Sequence, residues 1–329
     1  MNDRPCVDIL LATFNGERFV AEQIESILNQ SYSNIRLIIG DDESFDGTGR
    51  ILSEYAARYP DRIFPVFFPE NVGVSLNFSR IAEKADAPYV MFADQDDSWF
   101  PDKVEKTLKK MQEAETEYGV QTPLLVHTDA TVLDKEKKVV ANSFSNYSKI
   151  GPHRTKLPQM LMQNIALGCT IMMNRTLVDL SFPIPSEADM HDYWISLVAA
   201  AFGKIIYLNQ PTLYYRQHGN NIIGAYEHRF FHDLKEMLRN PKTALGLNRR
   251  NYSKTITAFV FFKRYENVLS DENKNILELF IGLRTHSFLK EAYLRQRYGF
   301  FRGDVRKEIL DLLGAYLSGP FPEKYHLHL

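Results

Sequence analysis

Short apolar runs alternate with amphipathic stretches through much of this chain. Residues 7–12 have the length and residue types of a buried strand, and residues 17–30 repeat with helical period, placing Phe19, Ile24, Ile27 and Leu28 on one side. The pattern continues with a strand at 35–40, a helix at 47–59, a strand at 63–68, a helix at 75–84, a strand at 89–93 and a helix at 101–114. Strands alternating with helices of this length predict βαβ units and a mainly parallel sheet flanked by helices. Past Lys110 the rhythm loosens. Strands are expected at 124–133, 170–173, 204–208 and 212–215, with helices at 159–164 and 195–202, and from about Glu227 onward the pattern is almost wholly helical.

In such sheets ligands gather at the carboxyl ends of the strands. That rule brings together Thr13-Phe14-Asn15-Gly16, Asp41-Asp42, residues 71–77 and Asp94-Gln95-Asp96-Asp97. The last segment follows the apolar run Tyr89-Val90-Met91-Phe92-Ala93 and puts three carboxylates into four residues. A divalent cation is the simplest compensation, and hard cations such as Mg²⁺ and Mn²⁺ share their carboxylate sites with phosphate. A calcium loop does not fit. Trp99 stands where that loop needs glycine, and a strand rather than a helix precedes it. Capping of the following helix accounts for Asp97 or Ser98 but requires neither Asp94 nor Asp96. Phe14 offers a ring for stacking on a nucleobase, or is a buried turn aromatic. Asp41-Asp42 could accept from a pyrimidine N3–H or a ribose hydroxyl, or cap the next helix, where Asp46 is the more natural cap. Neither a P-loop nor a dinucleotide glycine fingerprint follows the first strand.

These segments carry a resemblance. Residues 7–16, Asp41-Asp42-Glu43-Ser44-Phe45-Asp46-Gly47-Thr48 and Asp94-Gln95-Asp96-Asp97 resemble, in order, the signatures of inverting family 2 glycosyltransferases, over about residues 5–225. His191-Asp192-Tyr193-Trp194 resembles that family's catalytic carboxylate segment, usually Glu-Asp, and Tyr215-Arg216-Gln217-His218 its late Arg-x-His segment. Together they look closest to bacterial rhamnosyltransferases of cell-wall or capsular polysaccharides. The resemblance implies a GT-A fold, a nucleotide-diphosphate sugar donor such as dTDP-β-L-rhamnose, a glycan acceptor, and Mn²⁺ or Mg²⁺. It implies Asp96 and His218 as metal ligands and Asp192 as general base. Thr13, Phe14, Asn15, Asp41, Asp42, Asn77, Asp94, Gln95, Trp99 and Trp194 would line the donor site. Another nucleotide sugar, such as a UDP-hexose, and a non-catalytic nucleotide-sugar-binding protein stand as alternatives. Sugar-phosphate nucleotidyltransferases need a glycine-rich, lysine-bearing loop after the first strand, which Thr13-Phe14-Asn15-Gly16-Glu17 does not supply.

Composition changes the picture only in the C-terminal third. The net charge is −2, but residues 1–234 carry 22 Lys and Arg against 31 Asp and Glu, while residues 235–308 carry 16 against 8. The expectation is a catalytic domain over 1–226 and a basic helical region over 227–329. That region suits contact with an anionic membrane, an acceptor or another protomer, the acceptor being one linked to a polyprenyl pyrophosphate. An acidic body without a recognised module argues against nucleic acid. Two distant cysteines, Cys6 and Cys169, make neither a disulfide framework nor a zinc spacing. With a strand beginning almost at once and no long apolar run, the expected place is the cytoplasm, or the inner face of the cell membrane as a peripheral protein.

Overall fold

The computed structural model describes residues 4–217 and 241–318. In chain order the elements begin with β1 (Val7–Thr13), α1 (Val20–Leu28), β2 (Ile35–Asp42), α2 (Thr48–Arg58), β3 (Ile63–Phe68), α3 (Val74–Ala82) and β4 (Tyr89–Asp94). There follow β5 (Ser98–Trp99), α4 (Lys103–Tyr118), β6 (Leu124–Leu133), β7 (Val139–Ala141), α5 (Phe144–Tyr147), α6 (Leu157–Met162) and β8 (Ile171–Asn174). Next come α7 (Arg175–Ser181), α8 (His191–Phe202) and β9 (Lys204–Arg216). The described chain ends with α9 (Pro241–Tyr265), α10 (Asp271–Ile281), α11 (Phe288–Tyr298) and α12 (Val305–Ser318).

Two compact units emerge. The first comprises Met1–Ser145, Ala166–Ser186 and Met190–Ala225; the second comprises Asn146–Ile165, Glu187–Asp189 and Tyr226–Leu329. The expected boundary at residue 226 lies outside the described residues.

All described strands of the first unit join one sheet, ordered β3-β2-β1-β4-β8-β6-β9-β5, with β7 on β6. β1, β2, β3 and β4 run parallel, as do β6 and β9, while β8 lies antiparallel between β4 and β6. Every residue of β1 is buried, as expected of a central strand covered on both faces. Its one charged residue, Asp8, sits at the amino end and is fully answered. Arg36 Nε and Nη2 donate to its two oxygens at 2.7 and 2.8 Å, and the backbone N–H groups of Asp86 and Ala87 add two more bonds. The register sets Thr13 opposite Asp41 and Ala12 opposite Asp94, so three strand ends finish level at the opposite edge.

Several expectations needed correction. The helix expected at 75–84 runs from Val74 to Ala82 as α3, with Asn77 in it. Ser98 is not a cap of the following helix; Ser98 and Trp99 form a short strand. They pair with Tyr214 and Leu213 as β5, and α4 begins only at Lys103. The two short strands expected after residue 203 are one strand, β9, whose pairing with β6 shifts register around Asp129. α7 was not expected; the Asn174 side chain caps it by accepting from Leu177 N at 3.1 Å. α8 starts at His191, which places Asp192 inside its first turn.

The described part of the second unit is mainly helical. α9 packs on α10 and α12, and α11 packs on α12. At its centre the Arg295 guanidinium donates to Glu291, Glu308 and Asp311 at 2.6–3.1 Å. Arg284 also reaches Glu291, and Arg302 reaches Asp311 at 2.9 Å. Lys307 is buried as well, its Nζ donating to the carbonyls of Ser148 and Lys149. Part of the basic excess read from the sequence is therefore interior. Among the described residues no helix is long and apolar enough to cross a membrane.

Candidate active site

The level strand ends open on a cleft of about 560 Å³, within the usual range for small-molecule sites. Its walls include Thr13, Phe14, Asn15, Asp42, Asn77, Asp94, Gln95, Asp96 and Asp192. Nine of the expected site residues thus share one cavity.

The β1 end is held by side chains from neighbouring loops. Asp41 does not reach the cleft wall; its carboxylate accepts from Thr13 Oγ1 at 2.9 Å, Ser44 Oγ at 2.7 Å and Ser44 N at 3.0 Å. Ser44 Oγ in turn accepts from the backbone of Asn15, which has a positive φ of 48°. The Gln95 amide clips the same turn from the other side, accepting from Phe14 N at 2.9 Å and donating to Phe14 O at 3.0 Å. A Cβ on Gly16 would come within 2.2 Å of that amide oxygen, so a larger residue there would push the clip aside. The result is a half-exposed Phe14 ring presented at the cleft mouth, with Phe45 edge-on at 6.0 Å.

Asp42 faces the cleft and accepts from the backbone N–H groups of Val72 and Gly73 at 2.8–3.2 Å, tying down the loop before α3. Asn77 donates to Gly40 O at 2.8 Å, while its Oδ1 is buried without a donor.

Negative charge accumulates at the end of β4. Burial, reinforced by Asp96 and Asp192, raises the Asp94 carboxyl to about 7. Burial also pushes Asp97 well above the usual carboxylate range, with Asp96 and Asp94 adding to the effect. Asp97 Oδ1 accepts from Arg216 N at 3.4 Å, and its Oδ2 is buried without a hydrogen bond of ordinary geometry, the Cys169 thiol lying beside the carboxylate. Asp94, Asp97 and Cys169 offer ligand atoms within 4.8 Å of one another. Lys103 is buried nearby, lowered to about 8 by desolvation, but its Nζ donates to Thr212 Oγ1 at 3.2 Å. A cluster of carboxylates with an orphaned oxygen, open to a cleft, fits a hard divalent cation. Cys169 is the softer donor; burial first, and Asp97 and Asp94 beside it, keep its thiol protonated. Among the described residues the carboxylates are therefore the fitting ligands of this cluster.

Across the cleft, Asp192 is 6% exposed and stands in the first turn of α8. His191 beside it is 3% exposed. Its ring lies against Phe78 and Phe92, neither ring nitrogen has a hydrogen-bond partner, and burial drops its pKa to about 3. The neutral imidazole fits because position 168 is glycine: a Cβ there would meet His191 Nε2 at 2.6 Å.

Two expected residues fall elsewhere. Trp194 is fully buried, its Nε1 donating to Ser181 O at 2.9 Å. Trp99 lies against a separate hollow with Phe100 and Tyr214. His218 lies outside the described residues. Its neighbour Arg216 turns to Glu22, at 2.9 Å.

Residues 8–178, more than half of the chain, match the sequence profile of Glycosyl transferase family 2. The chain belongs to that family. A teichuronic acid biosynthesis glycosyltransferase of Bacillus subtilis (strain 168), TuaG, is 30% identical over 67% of this chain and 82% of its own length. The dTDP-rhamnosyl transferase RfbG of Shigella flexneri is 28% identical over 65% of this chain and 74% of its own. Among solved structures, the Pyrobaculum calidifontis mannosyltransferase PcManGT with GDP-Man and Mn²⁺ superposes with a TM-score of 0.54. It is 15% identical, over 98% of this chain and 83% of that one. The family 2 chain accordingly has the GT-A fold, its curled, mostly parallel sheet flanked by helices, with a helical C-terminal region.

Two features of the family 2 site escaped the sequence reading. Cys169 joins the acidic cluster from a segment with no spacing relation to it. The orphaned His191 ring stood in plain view beside Asp192, and its neutrality follows from burial that a linear pattern does not display.

Proposed function

We propose that this family 2 enzyme transfers L-rhamnose from dTDP-β-L-rhamnose to a surface polysaccharide, either growing or carried on a polyprenyl pyrophosphate, with inversion at the anomeric carbon. The observation that carries the reading is the pairing across one cleft of Asp192 with the acidic end of β4, close enough for the charge of Asp192 to raise Asp94. The choice of rhamnose rests on the Shigella relative's name and on the motif resemblance.

Phe14 supplies a face for the thymine ring, and Asp42, held by its two loop N–H groups, faces the nucleoside. Asp94 and Asp96 would hold Mn²⁺ or Mg²⁺, with Asp97 beside them. When bound, the cation neutralises charge on the departing nucleoside diphosphate. Asp192 takes the proton of the acceptor hydroxyl as its oxygen attacks the anomeric carbon. The bond from that carbon to the diphosphate oxygen breaks, and its electron pair leaves with the nucleoside diphosphate. Configuration inverts and no covalent enzyme intermediate forms.

Thermal shift and nucleoside diphosphate release, measured with dTDP-rhamnose, UDP-hexoses and GDP-mannose in the presence of Mn²⁺, test the reading. The expected result is stabilisation and slow release with dTDP-rhamnose, both lost in Asp96→Ala. Release from a UDP- or GDP-sugar instead would move the donor assignment, and binding with no release from any donor would leave a non-catalytic protein.

A further inference from the structure

In the second unit, α11 and α12 divide their charges by sign. Glu291, Glu308 and Asp311 are all buried against arginines, and the Asp304 side chain accepts from the backbone N–H groups of Arg306 and Lys307 at the start of α12. Apart from the neutral Gln296, what these helices turn outward is apolar or basic. Leu289 and Val305 are 79% and 75% exposed, and Phe288, Tyr293, Ile309 and Tyr316 are exposed with them. Lys290, Arg297 and Arg306 are exposed on the same two helices. The helices pack together, and the Phe288 and Tyr316 rings meet edge to face at 5.5 Å, so the two stripes form one surface.

Bulky apolar side chains interspersed with cations, and no exposed carboxylate on either helix, match an anionic lipid interface. A second copy would bring cations against cations with nothing of opposite sign on this face. A hydrated glycan has no counterpart for six apolar side chains. We propose that the α11–α12 face docks on a membrane rich in anionic phospholipid, its aromatic and aliphatic groups entering the interface and Lys290, Arg297 and Arg306 meeting the phosphates.

Cosedimentation of the full chain with vesicles of phosphatidylcholine, and of phosphatidylcholine mixed equally with phosphatidylglycerol, tests this. Binding is expected only to the mixed vesicles, and is lost at about 1 M salt, where screening reaches down to ~3 Å. Replacing Lys290, Arg297 and Arg306 together by Gln should weaken it roughly a hundredfold, each surface cation being worth about a factor of five. Replacing Leu289, Tyr293 and Val305 together by Ser should weaken it with no change in charge. Both variants should melt like wild type, since the altered groups are exposed. A control in Lys84, Lys109 and Lys135, exposed on the first unit, should bind as wild type. Equal loss in the control, equal binding to both vesicles, or no binding at all would overturn the proposal. So would a wild-type dimer in solution that the serine variant dissolves.

Discussion

In the second unit Glu291, Glu308 and Asp311 lie within ion-pair distance of Arg284, Arg295 and Arg302, whereas in the first unit Asp94 and Asp97 face one another, Asp96 and the Cys169 thiol. Both groups are taken out of water, and the consequences run in opposite directions. At Asp311 burial would raise the carboxyl, but Arg302 and Arg295 outweigh it and hold it far below its ordinary range. At Asp94 nothing outweighs burial, and the carboxyl rises to about 7. The first arrangement is complete without any partner and serves the fold. The second leaves charge that a ligand must answer, the usual mark of a functional site.

The largest test of that contrast is catalytic. Asp192→Asn should cut transfer by roughly 10³-fold while leaving nucleotide-sugar affinity nearly unchanged, the size expected for loss of a general base; turnover near wild type removes Asp192 from the chemistry. Next in size, Arg295→Met should cost about 3–5 kcal/mol in urea unfolding, because it removes the cation shared by three buried carboxylates. A loss under 1 kcal/mol would mean that the second cluster relaxes into water and is not closed.

The third test is pH. His191 has a folded value of about 3 against 6.5 in the unfolded chain, so between these values the unfolded state holds the extra proton. Stability then falls by ~1.4 kcal/mol for each pH unit below about 6.5. Asp94 works oppositely: its raised value means the folded state holds the proton from about pH 4 to 7, and stability there falls as pH rises. The difference between wild type and His191→Gln cancels Asp94 and isolates the imidazole. A pH-independent difference would show that His191 has access to water. Smallest of all, Asp97→Asn should stabilise the metal-free protein by about 1 kcal/mol while weakening its response to Mn²⁺. The same kind of change at Asp311 should destabilise, and equal signs at the two positions would erase the distinction between the clusters.

The alternating strands and helices of the first unit could be read from the sequence because β1 to β4 are continuous apolar runs bounded by polar turns. That rhythm also placed Thr13, Asp42 and Asp94 at one edge. Short elements were harder. β5 is two residues whose strand character comes wholly from pairing with β9, and α7 is announced only by Asn174. Orientation was the other gap. Asp41 and Asp42 are adjacent and alike in sequence, yet one braces Thr13 and Ser44 while the other faces the cleft, since neighbouring strand residues point to opposite sides. The tryptophans show the same limit: aromatic character near a motif says nothing about which side of the backbone the ring takes. In the second unit, counting Arg295 and Lys307 as surface charge failed because their partners come from distant turns of chain.

The Gln95 amide that clips Phe14 has a consequence for how this protein would age. An amide can both donate and accept, and here both capacities are used on one residue's backbone. Hydrolysis to a carboxylate would change a single atom, yet turn the donor toward the Phe14 carbonyl into a repelling lone pair. It would also add a fourth carboxyl group to a segment already holding three. Spontaneous deamidation, harmless at most exposed glutamines, would at this position release the aromatic turn and overload the acidic strand end together.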